Sequence, residues 1–247
     1  MDKFKSKAFY YKLSGDYALF TDPITKGGGE KFSYSVPTVQ ALKGITEAIY
    51  WKPTIAIYID EVKIINPIRT QTKGIRTLVK NGTSVDRNYY TYLKDVEYYV
   101  KFHFEWNELR EDLKHDRNEI KHQEIILRTL DKGCRRDIFL GTRECLGFVE
   151  RLTREEYEQK NGYYHEQSIS MGIMFHSFNY PTEVAGIDNS IESNFSQITM
   201  EKGVIHFIRP EECTIKNILG EYKGKFIKSE NIKTVENELE ELNEVKR

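Results

Sequence analysis

The stretch DVEYYVKFHFEW, Asp95 to Trp106, places Val96, Tyr98, Val100, Phe102, Phe104 and Trp106 on one side and Glu97, Tyr99, Lys101, His103 and Glu105 on the other. Strict period two over that length predicts a long strand, because successive side chains of an extended chain point to opposite faces. Upstream, Ile55, Ile57 and Ile59 alternate as a second strand, and Val39, Leu42, Ile45 and Ile49 recur at helical spacing. Lys52-Pro53 closes that helix, since the residue before a proline is pushed out of the helical region. A first strand is read over Lys7 to Leu13, with Phe9, Tyr10 and Tyr11, continuing toward Tyr17 to Phe20.

Downstream, Asp116-Arg117-Asn118-Glu119 offers an Asp to cap a helix and a Glu at the reciprocal capping-box position. The helix runs through Ile120, Leu127 and Leu130 to Gly133, and strands Ile138 to Leu140 and Cys145 to Val149 flank a turn at Gly141 to Glu144. The order β-α-β-β-α-β predicts an α+β chain whose residues 1–150 form a ferredoxin-like domain of the type that binds RNA, carrying a long basic hairpin loop. Residues 151–228 read as a smaller, mostly β domain with strands at Ile169 to Phe175, Gln197 to Met200 and Val204 to Ile208. In the charged tail, 229–247, Ile232, Val235, Leu239, Leu242 and Val245 recur at helical spacing, as either a docking helix or a frayed end.

With 247 residues the chain holds one to two domains, and 39% hydrophobic against 30% charged residues excludes a disordered chain or a disulfide-stapled miniprotein. Lys and Arg number 37 against 38 Asp and Glu, so net charge decides nothing about nucleic acid and any electrostatic footprint is local. The first residues lack the apolar core of a signal peptide, and no stretch approaches the roughly 18 apolar residues of a membrane span, so a cytoplasmic protein without a membrane partner is expected. Cys134, Cys145 and Cys213 form no C-x-x-C pair and read as buried small hydrophobes. Gly27-Gly28-Gly29 belongs to no nucleotide-binding loop, and His103, His115, His165, His176 and His206 show no metal-ligand spacing. Neither a cofactor nor a metal is expected.

Two clusters carry chemistry. From Asn66 to Lys94 the chain holds Arg69, Lys73, Arg76, Lys80, Arg87 and Lys94 against the single acid Asp86, and ends in Tyr89, Tyr90 and Tyr92. Cations to grip phosphates and rings to stack on bases suit single-stranded or hairpin RNA. The plain alternative is a solvated hairpin, but a connection this long is usually functional or disordered. The second cluster follows from topology. Antiparallel neighbouring strands bring the end of the first helix, with Tyr50, toward the start of the second, with Lys121 and His122. A helix N-terminus beside a lysine suits an anion and favours the neutral imidazole a general base needs. Each residue alone would pass for packing or surface. Arg135, Arg136 and Arg143, around a glycine turn, add a weaker phosphate-binding feature whose alternative is solvation.

In collinear order to about Cys213, the words GDYALF from Gly15, SYSVPT from Ser33, EAIYWKP from Glu47, NPIR from Asn66, DRNE from Asp116, Lys121-His122 and RRDIFLG from Arg135 closely resemble the Cas5d proteins of subtype I-C CRISPR systems. That resemblance implies an endoribonuclease that cuts the CRISPR precursor RNA within each repeat, near the base of its hairpin, and stays on the 5′ handle with the other subunits of the interference complex. It implies Tyr50, Lys121 and His122 as the catalytic residues. Metal-independent cleavage would use the ribose 2′-hydroxyl as nucleophile, leaving a 2′,3′-cyclic phosphate. The competing readings are a handle-binding subunit that cuts nothing and a metal-dependent DNA nuclease, for which clustered carboxylates are missing.

Overall fold

A computed structural model of the chain describes residues 3–78, 85–186, 189–222 and 224–244. It is an α+β structure with one large antiparallel sheet and few helices. Strand β1 (Phe9–Ala18) pairs antiparallel with β4 (Val85–Trp106), Phe9 opposite Phe102 and Ala18 opposite Leu93. Strand β2 (Ile55–Ile64) runs along the other side of β4, Ile55 opposite Trp106 and Ile64 opposite Tyr98, with an irregularity between Ile59 and Glu61. After the hairpin of β5 (Ile138–Phe139), β6 (Leu146–Leu152) pairs with β1. Helices α1 (Val39–Ile49) and α2 (Glu119–Asp131) bury Leu42, Ile45, Ile49, Ile125, Ile126 and Leu130 in one core with Tyr11, Leu13, Val100, Phe102 and Phe104 of the strands. This is where period two of β4 meets period 3.6 of the helices.

Thr38 caps α1, its side chain accepting from the Ala41 amide, and the helix ends as Tyr50 turns extended ahead of Lys52-Pro53. The cap of α2 is Asn118, which accepts from the Lys121 amide at 3.2 Å. The expected Asp116 cap is corrected: Asp116 ends the preceding 3-10 turn, Glu111–Asp116, and its carboxylate is taken by Lys52 and Thr54. Gly141 has φ +92, and a Cβ there would lie 2.1 Å from the Leu19 oxygen, so only glycine lets the turn after β5 pack against the chain just past β1.

Within Asn66 to Lys94 the described residues are mostly strand, where the sequence predicts a loop. Strand β3 (Thr70–Leu78) pairs with the first half of β4, Thr70 opposite Leu93 and Leu78 opposite Val85, to make a two-stranded arm. Both faces of such an arm meet water for much of its length, so no apolar alternation marks it in the sequence.

The later strands extend the same sheet. Strand β9 (Val204–His206) pairs with β2, Val62 opposite Ile205, and β8 (Ser190–Glu201) with β9. Strands β7 (Ser168–Asn179) and β10 (Ile215–Glu221) flank β8. They reach β4 through β2, and Ile198, Met200 and Ile205 join the main core there, with polar contacts alongside. Arg209 pairs with Glu105 and lies 4.4 Å above the Tyr58 ring, while His103 meets Asp60 at 2.9 Å. Short helix α3 (Arg154–Gln159) follows β6. The last helix, α4 (Val235–Glu244), packs Val235, Leu239 and Leu242 onto the main core beside α2.

Candidate active site

Tyr50 leaves α1 in extended conformation and reaches the first turn of α2, where its hydroxyl lies 2.7 Å from His122 Nδ1. The other ring nitrogen, Nε2, is 2.9 Å from the backbone oxygen of Asp116. A carbonyl can only accept, so Nε2 carries the proton and Nδ1 accepts from the Tyr50 hydroxyl. His122 is thus fixed in one tautomer, with its free lone pair aimed at Tyr50. Trp106 and Phe104 surround the ring, their centroids 5.6 and 5.9 Å away.

Burial sets the electrostatics. The His122 pKa falls to about 4, chiefly because the imidazolium would lose its water, and Lys52 adds to the fall while Asp116 and Glu236 oppose it. The expectation of a neutral imidazole holds, but the main cause is burial rather than the helix end. Burial likewise holds the Tyr50 phenol well above its ordinary value, with Glu238 adding to the rise and Arg135 opposing it. At neutral pH both groups are uncharged and joined by one hydrogen bond.

A second layer, missed in the sequence, holds this pair. Asp116, 1% exposed, accepts from Lys52 Nζ at 3.2 Å and from Thr54 Oγ1 at 2.6 Å, and also from the Val235 amide. Lys52 and Asp116 both stand in motifs read above, but as a helix end and a cap. Their pairing across more than sixty positions leaves no local signal.

Lys121 is half-buried, and its ammonium meets Glu236 at 2.9 Å instead of Tyr50 or His122. Arg135 lies 4.7 Å above the Tyr50 ring and pairs with Glu238. Arg136 and Arg143 are exposed and line a groove of about 600 Å³ along α1, beside Gln40, Ala41 and Gly44. On the arm, Arg69, Arg76 and Arg87 are exposed, Arg76 directly opposite Arg87. Lys73 rests on the Tyr17 ring, 3.2 Å from its centroid. Tyr89 is 48% exposed and Tyr90 half-buried, but Tyr92 is 3% exposed, its hydroxyl turned to Glu144. Tyr92 therefore has no open face for a base. Lys80 lies outside the described residues. Among the described residues, no group of three or more His, Cys, Asp or Glu is placed to hold a metal ion, and no helix is long and apolar enough to cross a membrane.

Comparison with known proteins gives this geometry a context. A crystal structure described as that of a CRISPR-associated protein superposes with a TM-score of 0.76 at 46% identity, covering 88% of this chain and all of that one. A functionally uncharacterized protein, SMU1763c from Streptococcus mutans, superposes with a TM-score of 0.74 at 48% identity, over 87% of this chain and all of its own. The CRISPR pre-crRNA endoribonuclease Cas5d of Mannheimia succiniciproducens is 31% identical over 153 residues, which are 53% of this chain and 66% of that protein. Over residues 10–208, which hold Tyr50, Lys121 and His122, the sequence matches the family model for Cas5d, described as CRISPR-associated protein, and the chain belongs to that family.

Proposed function

We propose that this chain is a metal-independent endoribonuclease that cuts the repeat of a CRISPR precursor RNA near the base of its hairpin and stays on the 5′ handle in a subtype I-C interference complex. Strand order β2-β4-β1-β6 with α1 and α2 on one face supports a ferredoxin-like RNA-binding core. The observation that carries the reading is the hydrogen bond from Tyr50 to His122 Nδ1, with the ring tautomer fixed by Asp116.

In this reading the 2′-hydroxyl next to the scissile bond gives its proton to the Tyr50 oxygen as the Tyr50 proton passes to His122 Nδ1. The freed oxygen attacks the phosphorus, the bond to the 5′ oxygen breaks, and the proton taken up by His122 Nδ1 returns through Tyr50 to that leaving oxygen, restoring both side chains. The products are a 2′,3′-cyclic phosphate and a 5′-hydroxyl. Lys121 neutralises charge building on the phosphorane. Proton transfer of this kind contributes about 10² to 10⁴ in rate, and a positioned charge a comparable factor. Asp116, through its backbone oxygen, positions the ring.

One observation favours a second reading, a handle-binding subunit that cuts nothing: Tyr50 is 1% exposed and His122 wholly buried. Incubating the chain with a repeat RNA in EDTA separates the two. Cleavage that disappears in Tyr50→Phe, Lys121→Ala and His122→Ala, with RNA affinity held within a few fold, supports the nuclease. Binding without cleavage by the unaltered chain, with or without Mg²⁺, supports the subunit.

A further inference from the structure

The cations that a scissile phosphate would meet are already engaged by the chain's own C-terminal helix. Helix α4, VENELEELNE, carries five glutamates and no basic residue. Glu236 pairs with Lys121, Glu238 pairs with Arg135 and stands 3.8 Å from Lys52, and Asn243 accepts from Arg128. The backbone adds to this, since Lys52 donates to the Lys233 carbonyl and Val235 donates to Asp116. With α4 in place, neither Tyr50 nor His122 can meet a ribose, both being at most 1% exposed.

We propose that α4 is a built-in lid that holds the place of the RNA backbone, its carboxylates standing in for phosphates, and that substrate RNA must displace it before cleavage. The inference rests on the ribonuclease reading and adds a regulation to that same site. Helix α4 lies beyond the stretch 10–208 matched by the family model.

The lid is seated to leave. Val235 is its one wholly buried side chain, with Leu239 and Leu242 half-buried. One Glu238 carboxylate oxygen is buried without a hydrogen-bond partner, a loss that seating the helix must absorb. A ten-residue helix with so small an apolar seat belongs to the low-stability end of a fold. Opening also changes the chemistry beneath. Burial is the main reason that His122 binds protons weakly, and readmitting water moves its pKa from about 4 back toward the range a general base needs. While the lid is closed most of the time, apparent RNA affinity falls in proportion to the open fraction.

The test keeps the apolar seat and removes the charge: Glu236→Gln together with Glu238→Gln in the full chain. In single-turnover cleavage of a repeat RNA at sub-saturating concentration, this variant should cut about 2- to 30-fold faster than the unaltered chain, the range for two partly exposed ion pairs. At saturating RNA the two rates should converge. Hydrogen exchange with a bound repeat RNA carrying a 2′-deoxy nucleotide at the cut should show amides of residues 235–244 losing protection about tenfold or more. An unchanged or slower rate in the variant, with these amides as protected in the complex as in the free chain, overturns the lid and leaves the ribonuclease reading standing. If neither protein cuts or binds the repeat, that reading falls and the lid falls with it.

Discussion

His122 has one nitrogen committed to a backbone oxygen and one aimed at a phenol, so any proton it moves passes through Tyr50. Tyr50→Phe should therefore lower the single-turnover rate by about 10² or more with RNA affinity unchanged, measured at saturating protein, although it removes a single oxygen. The pH dependence follows from burial. Between the ordinary histidine value of 6.5 and about 4, the unfolded chain holds a proton that folded His122 refuses, so stability falls as pH drops through that window. A difference of about 2.5 units corresponds to roughly 3 kcal/mol at full extent. His176 is buried and lowered to about 4 in the same way, its Nε2 donating to the Ile208 oxygen. Urea midpoints at pH 7 and pH 4.5 should show the loss, and the His122 ring resonance should titrate near 4 in the free chain; a value near 6.5 would contradict the buried site. Lys52→Met should be costly for a different reason, because it leaves the buried Asp116 carboxylate without its cation. The expected loss is about 3 to 5 kcal/mol by chemical denaturation. The Tyr50 and His122 pair was legible in the sequence because topology alone brings two helix ends together. Lys52 with Asp116 was not, because a buried ion pair between distant positions has no periodicity.

The β3–β4 arm makes a prediction of its own. If its cations grip the repeat, Arg69→Ala and Arg76→Ala should each weaken binding and flatten the slope of log K against log salt by under one unit, since each phosphate contributes about −0.7 on a single strand and −0.9 on a duplex. Tyr89→Ala should cost about 1 to 3 kcal/mol of affinity with the slope unchanged, as stacking releases few counterions. Tyr92→Phe, at a buried ring, should leave binding where it was. Filter binding at several salt concentrations reads all of these, and unchanged slopes for both arginines would move the grip to Arg136 and Arg143. The arm's charges and rings were plain in the sequence, but its strands were not. Strand β10, exposed along its whole length, escaped for the same reason. Hydrogen-bonded pairing alone leaves no side-chain pattern, whereas β4 beyond Asp95 showed its register because one face is packed with Tyr98, Val100, Phe102 and Phe104.

At the scale of the whole molecule, one sheet runs from β10 through β2 to β6, and the chain returns at its end to cover the junction of α1 and α2. The half-sheet under the two helices was readable because burial on one face writes a period into the sequence. The return of α4 was not, since ion pairs between positions more than a hundred residues apart can be written by many sequences. In the proposed reading, a site roofed by its own acidic helix cuts only when a bound RNA opens it. In the proposed reaction the RNA supplies its own nucleophile, and a single atom tests this. A repeat RNA and its copy with one 2′-deoxy nucleotide just upstream of the cut are incubated with the chain in EDTA. The first should be cleaved to a 2′,3′-cyclic phosphate and a 5′-hydroxyl, and the second bound tightly without cleavage. Cleavage of the deoxy copy, or a strict requirement for Mg²⁺ with the all-ribose RNA, would contradict that reaction.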